Sequence, residues 1–493
     1  MKAALSKLAR HSFIYGIGSS LGVAGSFLLI PLYTHVLSPA EYGAQELLYR
    51  LCDILILLMF MGVRQAYIRF YFEKLNDDEW HRTVTGTTVV FVLVSCGLIT
   101  ALFLPFHGLI LEKLLKGSVS GALLLLVLAW IPFEMLVNVG LTYFQIRMQS
   151  LSYVAINFLR LVLFISFNML LVYWLHYGIA GVFLAQIIAT GSIAAAILSY
   201  LLLKRRLSVQ WALTKEMLKY GLPYLPAAFM MYVVSNSDRY FLGIYGSLND
   251  VGVYALAAKV GMVGIMFLMD PFLKVWSPFL FENHSKPGGQ ALIARVFTLF
   301  TLVSVLTALG ISVVAPVMLP LITGKDFQNA YPLVPVICLG AVFYSMAHLA
   351  DAGILISKKT QYKPIIFGIA ALVAVAANFV LVPWIGTWGA ALATAIALLT
   401  LLLVNLKVSG RFYRIPIESR RMFLIFTAAI VTYLLSLYLL RLGKGGWLAE
   451  AESVMMLLLF PVLLWLAGFF TEGERNVVQS LFRARQRKTE GAS

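Results

Sequence analysis

Uninterrupted apolar runs of 18 or more residues recur along the whole chain, and nothing else in the sequence constrains the fold as tightly. A run of that length crosses a hydrocarbon core of roughly 30 Å as a helix, which satisfies its own backbone hydrogen bonds where no water is available. Read by hydropathy, about fourteen spans fall near 13–35, 44–68, 84–106, 120–142, 152–176, 178–203, 217–244, 250–276, 290–320, 331–356, 363–384, 388–407, 422–441 and 447–470. Composition agrees: 61% of the 493 residues are apolar and 12% are charged, against roughly 25% charged in soluble domains. A soluble fold would lack its charged surface. The expected fold class is an all-α polytopic membrane protein.

The net charge of +16 sets orientation and does not point to nucleic acid. Alternating the connecting segments puts about 26 Lys and Arg on one side and about 5 on the other. The rich side holds Lys2, Lys7, Arg10, Lys204-Arg205-Arg206, Lys358-Lys359, Arg420-Arg421 and the Arg483 to Lys488 tail. By the positive-inside rule both termini are expected in the cytoplasm; the membrane is expected to be the cell's inner one. A basic tail there suits anionic lipid. The run from Phe13 to Leu32 is too long for a signal-peptide core and is expected to stay as the first span. Cys52, Cys96 and Cys338 lie inside apolar spans without ligand-like spacing, so neither a disulfide framework nor a metal site is expected. No cofactor is expected.

The chain also repeats itself. Residues 38–73 align with 247–282 without a gap, pairing Ser38 with Ser247, Gly43 with Gly252, Leu47 with Leu256 and Glu73 with Glu282. An acid precedes each glycine (Glu41, Asp250), and a cation recurs inside the helix (Arg50, Lys259). Asn168 to Trp174 recurs as Asn378 to Trp384 at nearly the same offset. The period covers six spans, an even number, so both copies begin on the same side of the membrane. Parallel repeats of this kind form halves that move about a central site. The expected organisation is 1–206 and 207–416 as six-helix lobes, 417–472 as an extra pair, and 473–493 as a basic tail.

Ionisable residues inside spans mark candidate function. Arg50, Asp53, Arg64, Arg160, Asp238, Arg239, Lys259, Asp270, Lys274 and Asp351 lie within or at the ends of apolar stretches. Six of them facing lipid at roughly 2.5–3.5 kcal/mol each would cost more than the roughly 5–15 kcal/mol that holds a typical domain together. They are therefore expected to face a polar cavity, to pair, or to snorkel. Arg50, Asp53, Arg64, Asp238, Arg239, Lys259, Asp270 and Lys274 are the candidate transport-site residues. Arg50 and Lys259 are repeat equivalents at similar depth, and two converging cations suit a phosphate or diphosphate. Arg50 has a competing local role, because Glu46 and Asp53 share its helical face. Asp238 and Arg239 are sequence neighbours that point apart on a helix, so they are not expected to satisfy each other and are expected to find partners on other helices or in the cavity. His348 and Asp351 stand at i and i+3, suited to a proton relay or to helix packing. Arg64, Arg69 and Lys274 lie near span ends and can snorkel.

An enzyme is not expected. No HExxH or other metal spacing occurs, and Asp77-Asp78 sits in a short link without phosphate-cradling glycines. LSPAEYG (37–43), GVRQAYIRFYFE (62–73), NSDRYFLGIYG (236–246) and VGVYALAAK (251–259) resemble, in order and spacing, the Wzx-type polysaccharide or O-antigen flippases. These belong to the multidrug/oligosaccharidyl-lipid/polysaccharide exporter superfamily, with the lipid II flippase MurJ and the MATE drug exporters. The resemblance implies two six-helix lobes, an extra helix pair that can guide a lipid tail, and an undecaprenyl-diphosphate-linked glycan flipped to the outer leaflet. It implies membrane lipids and the polysaccharide polymerase and assembly machinery as partners. The alternatives are a MATE-like multidrug exporter and a membrane-embedded polymerase or transferase.

Overall fold

The computed structural model describes residues 18, 25–74, 76–205, 207–442, 451 and 454–470, without the side chains of residues 204, 205, 270 and 274. The described chain is helical, with no strand among the described residues. Its main elements are α1 (Ile30–Val36), α2 (Pro39–Phe60), α3 (Val63–Tyr71), α4 (Asp78–Phe103), α5 (Gly121–Ile146), α6 (Ser150–Asn168) and α7 (Gly178–Arg205). After a short link come α8 (Trp211–Gly221), α9 (Leu225–Tyr245), α10 (Leu248–Asn283), α11 (Gly289–Ile322), α12 (Val334–Ala350) and α13 (Lys363–Ser409). The last two are α14 (Ser419–Leu442) and α15 (Leu459–Leu466).

Nine helices among the described residues are long and apolar enough to cross a membrane. The expected count of fourteen differs for identifiable reasons. α2 carries Glu41, Glu46, Arg50 and Asp53, and α9 carries Asp238 and Arg239, so both are too polar to register by composition alone. The two spans expected at 363–384 and 388–407 run together in α13, broken only at Ile385 and Gly386, where Gly386 takes φ 56°. The spans expected at 13–35 and 447–470 lie partly outside the described residues, as do Lys444 and the tail.

The repeat seen in the sequence has a structural meaning. Ser38 caps α2, its N–H donating to Glu41 Oε2 at 2.9 Å while the Glu41 N–H donates back to Ser38 Oγ at 3.3 Å. Ser247 caps α10 in the same reciprocal way with Asp250, at 2.9 and 3.1 Å. Such a box satisfies two orphan donors at a helix start. One turn in, Gly43 and Gly252 bring α2 and α10 together backbone to backbone. Nineteen residues farther on, just past the end of α2, a second close crossing occurs. Gly62, at φ 73°, packs against Gly221 at the end of α8, so that a methyl group on either would strike the other's backbone. The stretch from Gly43 to Gly62 thus meets later helices of the chain at two close crossings.

The remaining packing follows the rules of apolar surroundings, where small residues allow close approach. α13 buries Ala370, Ala371, Ala374, Ala390, Ala391 and Ala397 against α9 and α12. α5 packs on α7, and α11 packs on α12 and α14. At the face opposite the Ser38 and Ser247 caps, Asp77 caps α4 through the Trp80 N–H at 2.9 Å, and Trp80 Nε1 donates to the Phe70 carbonyl at 2.8 Å. Cys52, Cys96 and Cys338 are free and buried.

Candidate functional site

The charges on α2 line up because residues four and three apart share a helical face. Glu46 Oε1 lies 3.1 Å from Arg50 Nε, and Asp53 Oδ2 lies 2.8 Å from Arg50 Nη1. Arg50 also reaches the other half: its Nη1 donates to Asn236 Oδ1 of α9 at 3.1 Å. The Tyr232 hydroxyl donates to the Arg50 carbonyl at 2.5 Å and lies 2.7 Å from the Tyr240 hydroxyl. Lys259 makes the reciprocal crossing from α10. Its Nζ donates to the Tyr42 hydroxyl of α2 at 3.0 Å and sits 5.3 Å from that ring's centroid. The repeat-equivalent cations thus each bridge the two halves.

The structure corrects the expectation for Asp238 and Arg239. They bond each other directly, Arg239 Nη1 donating to Asp238 Oδ1 at 2.9 Å and Oδ2 at 3.1 Å. The Arg239 side chain is long enough to curl back along the helix, which also lets Nη1 donate to the Ser235 carbonyl at 3.1 Å. Partners on other helices are present as well. Arg239 Nε lies 3.5 Å from Glu46 Oε1, and Asp238 Oδ2 accepts from Tyr254 at 2.6 Å and Thr394 at 2.8 Å. Asp238 is 1% exposed and fully hydrogen-bonded, the arrangement that makes a buried charge tolerable.

Arg50, Lys259, Glu46 and a further cation, Arg160 of α6, line one cavity of about 340 Å³ together with Tyr33, Gln45, Tyr49, Asn157 and Gln186. Arg160 grips Glu134 of α5 with both ends of its fork, Nη1 to Oε1 at 3.2 Å and Nη2 to Oε2 at 2.5 Å. Asn138 Nδ2 adds a bond to Glu134 Oε1 at 3.0 Å. The wall therefore presents Arg50, Arg160 and Lys259 with one acid, Glu46, while Asp53, Glu134 and Asp238 stand behind it. With Arg239, which pairs with Glu46 and Asp238 behind the wall, four cations stand against four acids, so the charges can be buried without a bound counter-ion.

The other candidates fall elsewhere. Asp53 and Arg64 line a second cavity of about 290 Å³ with Gly62, Asn138 and Tyr224, toward the Gly62 crossing. Arg64 Nε donates to Thr142 Oγ1 at 3.1 Å, and Arg69 lies 4.8 Å from the centroid of the Tyr220 ring. The side chains of Asp270 and Lys274 lie outside the described residues. His348 and Asp351 each bond elsewhere: Asp351 Oδ2 pairs with Lys363 Nζ at 2.8 Å, and His348 Nδ1 lies 3.0 Å from the Tyr344 carbonyl. No group of three His, Cys, Asp or Glu able to hold a metal occurs among the described residues.

Sequence reasoning counted Arg160 among the intramembrane charges without placing it at the site, and it missed Glu134. The signal was there, since Glu134 is the single charged residue of α5. Tyr42, Tyr232, Tyr254, Asn236 and Thr394 carried no such signal, because polar and aromatic residues are ordinary inside helical bundles.

Residues 8–284 match the family model described as polysaccharide biosynthesis protein. No curated protein matches the chain in sequence. Among solved structures, the chain is similar to lipid II flippase MurJ in an inward closed conformation. The TM-score is 0.72 at 15% identity, covering 94% of this chain and 98% of that one. It is also similar to an inward-facing multidrug resistance MATE family transporter of the MOP superfamily, with TM-score 0.64, 14% identity and coverages of 80% and 94%. A MOP superfamily transporter from Pyrococcus furiosus matches with TM-score 0.54, 15% identity and coverages of 82% and 95%. The chain has this membrane transporter fold.

Proposed function

The chain belongs to the polysaccharide biosynthesis protein family, and we propose that it flips a polyprenyl-diphosphate-linked glycan across the membrane by alternating access. The observation that carries the reading is the convergence of Arg50, Arg160 and Lys259 on one cavity with a single acid on its wall. Forked guanidinium groups bind phosphate oxygens in pairs. A charged sugar headgroup cannot cross hydrocarbon unaided, and a polar chamber between two halves shields it while its tail stays in lipid.

The same contacts suggest how binding drives movement. Arg50 and Lys259 hold the halves together through Asn236 and Tyr42. A diphosphate that takes over these cations competes with both bonds and loosens the closed state. At about 340 Å³ the cavity lies at the small end of ligand sites, roughly 300–1,000 Å³, so a full headgroup needs the halves to part. In the proposed orientation both termini are cytoplasmic, the Ser38 and Ser247 caps face outward, and the membrane is the inner one. An outward-moving dianion then gains roughly 4–5 kcal/mol per 100 mV of inside-negative potential. The chain on this reading is a transporter and not an enzyme.

The test is deletion with complementation. Loss of the protein should leave lipid-linked glycan precursors on the inner leaflet and abolish surface polysaccharide, with drug sensitivity unchanged. Normal surface polysaccharide in a strain with no second flippase would overturn the proposal. Drug hypersensitivity alone would favour an exporter of amphiphilic drugs.

A further inference from the structure

A second charged hollow lies away from the central site, where α13 ends and α14 begins. It measures about 720 Å³ and is lined by Lys407, Arg411 and Arg414 with the apolar side chains of Ile415 and Ile417. No acid lines it, and none of the three cations has an ion-pair partner among the described residues. Glu418, the nearest acid in sequence, is engaged by Arg421 at 3.0 Å.

The hollow is held in shape. Ser409 at its edge is buried, and its Oγ accepts from the Gly353 N–H at 2.7 Å. A methyl group on Gly353 would strike the Ser409 carbonyl. The 410–418 link is tied down on two sides. The Tyr413 hydroxyl donates to the His284 carbonyl at the end of α10, at 3.4 Å, and Phe412 packs on Tyr362 with ring centroids 5.5 Å apart. The link joins two apolar spans, so the hollow sits at headgroup depth. Cations ring it, and Ile415 and Ile417 offer an apolar wall.

We propose that this hollow binds the phosphate headgroup of an anionic lipid, with Lys407, Arg411 and Arg414 as its ligands. Basic pockets between transmembrane helices bind phosphate-bearing headgroups by the same combination of charge and apolar wall. The phosphate has two sources, a membrane phospholipid or a prenyl diphosphate, and the chemistry is shared. The inference does not rest on the flippase reading, because it concerns a binding event at a separate place.

The test is native mass spectrometry of the intact purified protein with cardiolipin, phosphatidylethanolamine and undecaprenyl diphosphate as probes. Wild type should hold cardiolipin about tenfold better than phosphatidylethanolamine. A variant with Lys407→Gln, Arg411→Gln and Arg414→Gln should lose that preference. A variant with Lys215→Gln, Lys286→Gln and Lys358→Gln should keep it. Ile415→Trp fills the hollow without changing its charge and should also lower cardiolipin binding, which keeps the test decisive if the triple variant folds poorly. Displacement of cardiolipin by undecaprenyl diphosphate would assign the site to the prenyl carrier, and no displacement would assign it to phospholipid. Wild-type cardiolipin binding in Ile415→Trp, or equal loss in the two triple variants, overturns the proposal.

Discussion

Gly43 of α2 and Gly252 of α10 pack backbone to backbone, each where the other leaves room for no side chain. A methyl group on Gly43 would stand 2.8 Å from the Gly252 nitrogen, and one on Gly252 would stand 3.1 Å from the Gly43 nitrogen. Each also faces a carbonyl of the opposing helix, from Leu248 and Pro39. The residues that mark the repeat in the sequence are thus the residues on which the halves meet.

A wedge at this crossing should open that end. Overpacking typically costs about 1–3 kcal/mol, which is about 5- to 150-fold in a closed-to-open ratio. Gly43→Val should therefore raise the labelling rate of a cysteine placed at Gln45, on the cavity wall, by at least about fivefold. An unchanged rate would mean that the Gly43 contact does not close the cavity.

Arg50 and Lys259 should be separable by their partners. Removing one member of a buried pair typically costs about 3–5 kcal/mol. Arg50→Ala should fall below that range, since Arg239 still faces Glu46. Adding Glu46→Gln and Asp53→Asn should restore protein level but not transport. Lys259→Met, which leaves no acid stranded on its own helix turn, should fold and lose transport at least about tenfold. Full glycan output per folded molecule in the double variant Arg50→Ala with Lys259→Met would eliminate these cations as the headgroup site.

Arg160 and Glu134 offer a test of structure against function at one pair. Arg160→Met leaves the Glu134 carboxylate with only Asn138 beside it and should destabilise by about 3–5 kcal/mol. Combining it with Glu134→Leu should recover most of that loss, because an apolar pair of similar size replaces a buried ion pair without leaving a charge behind. The proposal requires that transport stay low in the recovered double variant. Restored transport would reduce Arg160 to a packing role. Denaturation midpoints and glycan output per folded molecule give the two readouts.

The orientation has its own test. Asn249→Cys, beside the Ser247 cap, should react with an impermeant reagent added outside intact cells. Gln210→Cys, in the link before α8, should react only after permeabilisation. The reverse pattern would invert the proposed topology.

Much of this was legible in the sequence, and for a plain reason. In lipid every backbone polar group must be satisfied within the segment, so apolar length alone announces helices such as α5, α11 and α13. The matching offsets of Ser38 with Ser247 and Gly43 with Gly252 are visible in the sequence itself, and both pairs take the same role in the structure, as caps and as crossing glycines. The cost of an isolated charge in hydrocarbon singled out Arg50 and Lys259. It could not say which neighbours would answer them.

Those answers are three-dimensional. Asn236 lies 186 residues from Arg50, and Tyr42 lies 217 residues from Lys259; no local pattern couples positions so far apart. The direct Asp238–Arg239 bond ran against helical geometry read at the level of Cβ directions, because side-chain length and a buried setting decide where a guanidinium goes. Sequence by itself determined that the chain is a helical membrane protein with charges it cannot leave in lipid. Only the tertiary structure decided that Arg50, Arg160 and Lys259 share one cavity, because burial pairs each charge with whatever the packed helices bring within reach.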